Sequence, residues 1–408
     1  MTTDRTGILV LNSGSTSIKF AAYRGMAEET LAVVCRGGID AMEDMPHFAV
    51  EDANGRAMAS HDWAANERPD QAAGLAFIVD WLSTNLADLQ LTATGHRVVL
   101  GGEKYGAPVV ITDDVLADLD ALSAFEPSHQ PAEIAGIRAL RKLHPEMVQV
   151  ACFDTSFHRT MPPIAQIYAL PRKYNAGNLR HWGFHGISYD YISRQVPKHA
   201  PDARRLIVAH LGGGCSMCAI RDGHSVDTTM GFSAIEGLPM STRVGAIDAG
   251  ILLYLLRSGT LDVGGLETTL CRQSGLLGLS GISGDMRDLE KSAAPEAAEA
   301  IDYFVNSIVK YTGAYAAVLG GLDAFIFTAG IGENSALVRA KVCERLGWLG
   351  VTLDSDANGR NGPRISGDDS AVSVWVIPTD EEIMIAMHTL RLAGAAAGPD
   401  DQAKETGR

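Results

Sequence analysis

The sequence predicts an α/β protein made of two similar halves, on two observations. Strand-like apolar runs alternate with helical stretches along the chain. A strand, glycine turn and strand near the start also recur about half a chain length later. Chance likeness of two short segments is the competing explanation for the second observation.

The first segment reads Ile8-Leu9-Val10-Leu11, then the small polar turn Asn12-Ser13-Gly14-Ser15-Thr16-Ser17, then Ile18-Lys19-Phe20, an opening β-hairpin. Its counterpart reads Leu206-Ile207-Val208-Ala209, His210-Leu211-Gly212-Gly213-Gly214-Cys215-Ser216, then Met217-Cys218-Ala219-Ile220. Gly14 and Gly212 hold equivalent places 198 positions apart. A period this long points to two related halves facing one another, with sites between them, rather than to a solenoid. Helical patterns cover 71–86, 131–143 and 295–319, and strand-like runs cover 148–153, 206–210 and 324–328. A last helix starts near Asp380, with Ile383, Ala386, Met387 and Leu390 on one stripe, and the chain turns polar from Gly398.

Composition narrows the function. The 408 residues carry 34 Lys plus Arg against 49 Asp plus Glu, a net charge of −15, which argues against a general nucleic-acid binder. An apolar share of 46 % excludes disorder, and the length suggests two or three domains. The longest apolar stretches, such as 251–256, fall far short of the roughly 20 residues of a membrane span. Only four consecutive apolar residues, 8–11, follow the N-terminus, too few for a secretory signal. A cytoplasmic enzyme with neither membrane nor nucleic acid as partner is expected. Six cysteines fit a reducing compartment. Cys215 and Cys218 match C-x-x-C, but in a strand they point to opposite faces and no second pair completes a zinc site, so buried structural thiols are expected.

Three loops suit phosphate. The turn after Leu11 offers a glycine, several hydroxyls and Lys19, although a plain hairpin connection would look the same. His210-Leu211-Gly212-Gly213-Gly214 lets backbone approach an anion closely. Thr328-Ala329-Gly330-Ile331-Gly332-Glu333-Asn334 follows an apolar strand and reads as a turn leading into a helix, a common nucleotide position. No Walker-type loop occurs. Arg97, Asp154 and Arg243 sit in apolar or glycine-rich surroundings, as a structural ion pair or as groups for phosphoryl chemistry. His158 and His185 are further candidates, either as core histidines or in the chemistry. Glu381 and Glu382 open the last helix, where they complement its dipole or help hold a divalent ion.

Together these segments, with Gly95-His96-Arg97-Val98-Val99, Phe153-Asp154-Thr155-Ser156-Phe157-His158, Gly183-Phe184-His185-Gly186 and Ile377-Pro378-Thr379-Asp380-Glu381-Glu382, resemble the acetate kinase family. The matches run in order from Ile8 to Glu382. The resemblance implies the fold of the actin and sugar-kinase superfamily, with two duplicated ribonuclease-H-like domains flanking an active-site cleft. One would hold residues 1–153 plus a C-terminal helix 381–398. The other, nucleotide-binding, would hold 154–380, with 399–408 a disordered tail and a homodimer as the usual assembly. It implies reversible transfer of the γ-phosphoryl group of ATP to acetate, giving acetyl phosphate and ADP, with Mg²⁺ or Mn²⁺. Propionate or another short carboxylate as acceptor, or ATP binding without catalysis, are the alternatives.

Position by position, the resemblance makes Asp154 the catalytic aspartate and His185 and Arg243 the groups that stabilise the transition state. Arg97 would bind the acyl carboxylate, Val99 and Phe184 would wall the acyl pocket, and His129 would be another active-site histidine. Lys19 would touch the nucleotide phosphates. The ATP segments would be His210, Leu211, Gly212, Gly213 and Gly214; Asp285, Met286 and Arg287; and Gly330, Ile331, Gly332, Glu333 and Asn334. Asn12 and Glu381 would be the metal positions. A carboxylate is already ionised at neutral pH, so its attack needs alignment and charge stabilisation more than a base. Asp154 is then better read as positioning the metal shell or its water.

The chain departs from the family pattern in places. Gly213 stands where asparagine is common, Leu100 where histidine is, and Met286 where phenylalanine is. The donor missing at Gly213 is worth about 1.5–3 kcal/mol against a charged group unless a neighbour compensates. Ser128 and Ala234 are smaller than the leucine and proline usual there, which predicts a roomier pocket that accepts propionate nearly as well as acetate.

Overall fold

Each of the two apolar hairpins seeds its own sheet. The computed structural model describes residues 5–14, 16–42, 44–64, 67–127, 129–175, 177 and 179–396. Ser128, the expected tail over 399–408 and the last two positions of the expected helix 381–398 lie outside them. The chain divides into one unit of Met1–Ser156 with Asp380–Arg408 and a second of Phe157–Thr379.

The first unit holds eight strands: β1 (Thr6–Ser13), β2 (Ile18–Arg24), β3 (Ala32–Asp40), β4 (His47–Asp52), β5 (Ala57–Asp62), β6 (Gln90–Val98), β7 (Val109–Val110) and β8 (Val148–Phe153). They form one mixed sheet in the order β5-β4-β3-β2-β1-β6-β8-β7. The unbroken apolar run in β1 follows from burial on both faces. Leu9 and Leu11 pack with Leu75, Ile78 and Leu82 of the helix Gln71–Asn85, which starts where the Asp70 carboxylate accepts the Ala73 N–H at 2.8 Å. The C-terminal helix Glu381–Ala396 packs on β1, β6 and β8. At Gly95 on β6 a Cβ would overlap Thr389 Oγ1 and Ile385, so glycine permits that approach.

The second unit holds β9 (Arg205–Leu211), β10 (Cys215–Arg221), β11 (His224–Thr228), β12 (Ala324–Thr328) and β13 (Ser373–Val376), in the order β11-β10-β9-β12-β13. Here β9 pairs antiparallel with β10 and parallel with β12, as β1 does with β2 and β6. The third strand extends the hairpin antiparallel, and a further parallel strand follows on the other side, β8 in one sheet and β13 in the other. Five strands in the same order and direction make chance likeness of two hairpins an insufficient explanation. Cys215 and Cys218 on β10 are both buried and unpaired, and burial pushes the Cys215 thiol up to about 12.

Helices Gln130–Leu143 and Pro295–Leu319 fall where the periodicity places them. The third glycine cluster follows β12 and leads into the helix Ala336–Arg345, as the sequence reads, but instead of an open turn it is itself the short helix Ala329–Asn334. Ala329 turns the chain out of β12 at a φ of 64°, and its N–H is held by the Glu333 carboxylate one turn on at 2.7 Å.

His96 is buried on β6. Satisfying every donor and acceptor around it orients the Gln149 amide to donate to His96 Nε2 at 2.9 Å while its oxygen accepts the Arg141 N–H at 3.0 Å. Burial pushes His96 from its ordinary 6.5 down to about 4, so between those values the unfolded chain binds a proton that the folded one does not. Its contribution, up to about 3 kcal/mol, is full above pH 6.5 and is lost as pH falls toward 4. Denaturant unfolding followed across that window is expected to show a shallower loss of stability in His96→Gln than in the parent.

Candidate active site

In the first unit β1, β6 and β8 run parallel, so their carboxyl ends share one edge of the sheet, where open α/β sheets place ligands. Asn12, near the end of β1, is the cross-strand partner of Lys19 on β2. Arg97 is the penultimate residue of β6. Asp154 follows β8 directly, its N–H bonded to the Val98 carbonyl at 3.0 Å. The Arg97 guanidinium donates to both Asp154 oxygens, at 2.5 Å from Nη2 and 3.2 Å from Nε, and Nη1 reaches Asn12 Oδ1 at 3.5 Å. Glu381, at the start of the C-terminal helix, lies 3.9 Å from Arg97. Asn12, Lys19, Arg97, Glu381 and Glu382 border a small hollow of about 10 Å³.

Negative charge is in excess there. Burial disfavours the Arg97 charge, but Asp154 and Glu381 outweigh it and hold the guanidinium well above its ordinary range. Burial pushes the Glu381 carboxyl up to about 7; Asp154, Glu382 and Asp380 add to the rise and Arg97 opposes it. An all-oxygen set with surplus carboxylate fits a hard divalent cation. Among the described residues no group of three or more His, Cys, Asp or Glu side chains is placed to hold a metal. Asn12 and Glu381 are the oxygen donors here that could hold Mg²⁺ or Mn²⁺, an ion that usually keeps water and phosphate oxygens among its ligands.

Two residues that sequence reasoning missed support this edge. Glu133 accepts the Val99 N–H at 2.9 Å, and Gln130 bonds both backbone groups of Leu100, at 3.2 and 3.1 Å. Both lie in the first turn of the helix Gln130–Leu143, where their spacing on its buried stripe was the available signal. Burial pushes Glu133 up to about 8, against the pull of Arg97 and of the Val99 N–H. His129 precedes that helix, with Nδ1 3.0 Å from the Glu126 carboxylate.

In the second unit the three segments that the family resemblance assigns to ATP meet at one cavity of about 630 Å³. Gly212 and Gly213 contribute from the first segment, Asp285, Met286 and Arg287 from the second, and Gly330, Ile331 and Asn334 from the third. Asp285 caps the helix Met286–Lys291 and pairs with Arg287 at 2.5 Å, which holds its carboxyl at about 2. Leu211 and Gly332 are buried, and Glu333 turns its carboxylate to the N–H groups of Ala329 and Thr379, at 2.7 and 3.2 Å. Ser241, Gly284, Glu290 and Ser335 also line the cavity, and Ser335 donates to Glu290. The Ser241 hydroxyl lies 3.8 Å from where a Cβ at Gly213 would sit, a neighbour able to supply the donor that glycine lacks.

His185 and Arg243 converge beside this loop: His185 Nε2 and Arg243 Nη1 lie 3.3 and 4.0 Å from the Cβ position of Gly214. His185 Nδ1 is 2.8 Å from Ser216 Oγ, its ring stacks on His210 at 4.2 Å, and His210 Nδ1 is 2.9 Å from Ser188 Oγ. Arg243 Nη1 donates to the carbonyl of Ala234 at 2.8 Å. Phe184 is buried, its carbonyl 2.9 Å from His158 Nε2.

A glycine-walled cavity beside cationic side chains, together with an arginine held among carboxylates, are features of a phosphoryl-transfer enzyme. Comparison with known proteins makes this specific. A profile of the acetokinase family matches residues 7–387. An acetate kinase of Rhodopseudomonas palustris (strain TIE-1) is 47 % identical over 392 residues, covering 95 % of this chain and 98 % of the relative. The crystal structure of a propionate kinase from Francisella tularensis superposes with a TM-score of 0.89 at 35 % identity, covering 95 % of this chain and 100 % of that one. That of Porphyromonas gingivalis acetate kinase superposes at 0.85 and 36 %, covering 95 % and 99 %. This chain belongs to the acetokinase family.

The Arg97–Asp154 pair is nearly inaccessible on the aspartate side, with Asp154 1 % exposed. Arg97→Leu is expected to lower stability by about 3 kcal/mol, because it strands a buried carboxylate. Adding Asp154→Asn is expected to recover part of that loss, read as the midpoint of thermal unfolding.

Proposed function

We propose that this chain is an acetate kinase that transfers the γ-phosphoryl group of ATP reversibly to acetate. What carries the reading is family membership over residues 7–387 together with the Arg97–Asp154 pair at the strand ends beside Asn12 and Glu381. One oxygen of the acetate carboxylate attacks the γ-phosphorus. The new O–P bond forms as the bond from that phosphorus to the β–γ bridging oxygen breaks, and ADP leaves with the electron pair. No proton is abstracted, since the acid is already ionised. Asp154 takes the Nε and Nη2 edge of Arg97, and Nη1, whose contact with Asn12 Oδ1 is long at 3.5 Å, is the nitrogen that would hold the acyl carboxylate. The cavity of the second unit takes the nucleotide, with Ser241 and Gly213 toward its phosphates. His185 and Arg243 meet the charge that spreads over the transferring oxygens. Asn12 and Glu381 would hold Mg²⁺ or Mn²⁺, which when bound neutralises phosphate oxygens.

Ala234 is buried and touches Arg243 through its carbonyl, and its small side chain favours room for one more methylene. Propionate is therefore proposed as a second acceptor. That none of the six cysteines forms a disulfide favours a cytoplasmic setting, and no helix among the described residues is long and apolar enough to cross a membrane.

The assembly proposed is a homodimer. The helix Ala249–Arg257 has no buried residue although it is mostly apolar, and Ile251, Leu253 and Tyr254 are all exposed. A second copy of this chain covering that face accounts for it.

With ATP, Mg²⁺ and hydroxylamine, acyl hydroxamate is expected from acetate, and from propionate within about tenfold in kcat/KM. A chelator is expected to abolish both, and Arg243→Ala to lower kcat by about 10²–10³. A strong preference for acetate would remove the propionate reading alone, and retained turnover in Arg243→Ala would detach the chemistry from that residue. Light scattering on Leu253→Glu/Tyr254→Glu is expected to give a monomer where the parent gives a dimer.

A further inference from the structure

His158 takes no part in the chemistry above, yet it is 1 % exposed and bonded through both ring nitrogens. Nε2 lies 2.9 Å from the Phe184 carbonyl and Nδ1 lies 2.9 Å from Ser225 Oγ on β11. A carbonyl can only accept, so Nε2 carries the proton; Nδ1 is then the acceptor and the Ser225 hydroxyl donates to it. Burial pushes the ring down to about 4, in keeping with a neutral imidazole held in one tautomer.

The ring also lies flush against backbone. A Cβ at Gly183 would fall 2.5 Å from His158 Cγ, so the approach requires glycine, here at a φ of 77°. Two residues on, His185 itself adopts the left-handed conformation, with a φ of 56°, directly before the helix Gly186–His199. A side-chain-bearing residue persists there only where its surroundings over-determine it. Ser216 and His210 set the plane of the His185 ring, but they act on its side chain. His158 grips the main chain from which that side chain projects.

We propose that His158 is a positioning residue. As a fixed neutral imidazole it locks the turn of Gly183, Phe184 and His185, so that His185 is presented to the transferring phosphoryl group and Phe184 to the acyl chain. This rests on the roles given above to His185 and Phe184.

The test compares His158→Phe, His158→Gln, His185→Ala and the double variant His158→Phe/His185→Ala, each first shown to be folded by circular dichroism. His158→Phe is expected to lower kcat for acetyl phosphate formation by about 10²-fold, with KM for ATP within about twofold. The glutamine amide donates to the same carbonyl, so His158→Gln is expected to return to within about tenfold of the parent. In the His185→Ala background, His158→Phe is expected to change kcat by no more than about twofold. An unchanged kcat in folded His158→Phe, or an equal loss in both backgrounds, would overturn the proposal.

A readout independent of turnover comes from ring ¹⁵N spectra of histidine-labelled protein. His158 is expected as a neutral Nε2–H tautomer that does not titrate near neutral pH, and the His185 signals are expected to shift in His158→Phe but not in His158→Gln. A titrating His158, or an unmoved His185, would overturn the positioning role even if the parent made no acyl phosphate, an outcome that would instead sink the reading of the enzyme.

Discussion

The polar cluster at the sheet edge of the first unit depends on one buried cation. Arg97 is surrounded by Asp154, Glu381 and the amide oxygen of Asn12, and without it those oxygens would stand together in a low-dielectric pocket with nothing to offset their repulsion. The guanidinium suits this because its planar fork grips Asp154 through two N–H groups at once and keeps its charge whatever the pH. The surplus of carboxylate that remains is what supports reading this ion pair as a place for a further cation.

The sheet makes that gathering possible. Strand direction places the ends of β1, β6 and β8 on one edge, and the same five-strand pattern in the second unit places the ends of β9 and β12 on one edge. In both units the first strand ends in a tight glycine turn, at Gly14 and at Gly212, whose N–H groups bond back into their own loops at 2.8 and 3.0 Å. Duplication has supplied two similar edges, and side chains have made them different: charged in one, largely glycine and backbone in the other.

Much of this was legible in the sequence because the signals were strong. The runs 148–153 and 324–328 became strands with those bounds, since both are buried on both faces and are mainly apolar, with Gln149 and Thr328 the exceptions. The meander β3 to β5 went unread because β5 is mostly exposed and carries little alternation. Glu133 and Gln130 were missed for the opposite reason: polar residues on a helical stripe look like ordinary surface until the helix is seen to turn them onto the backbone of Val99 and Leu100.

The sequence by itself determined the class of fold, the family and most of the residue types at the site, because apolar periodicity, glycine turns and ordered motifs are local properties of the chain. Only the tertiary structure decided which of those residues meet. That Arg97 faces Asp154 across 57 positions, that Glu381 returns from the far end of the chain to join them, and that His158 holds a turn near residue 184 are facts of strand order and packing. Distances of this kind depend on how separate segments close on one another, and no short window of sequence contains both partners.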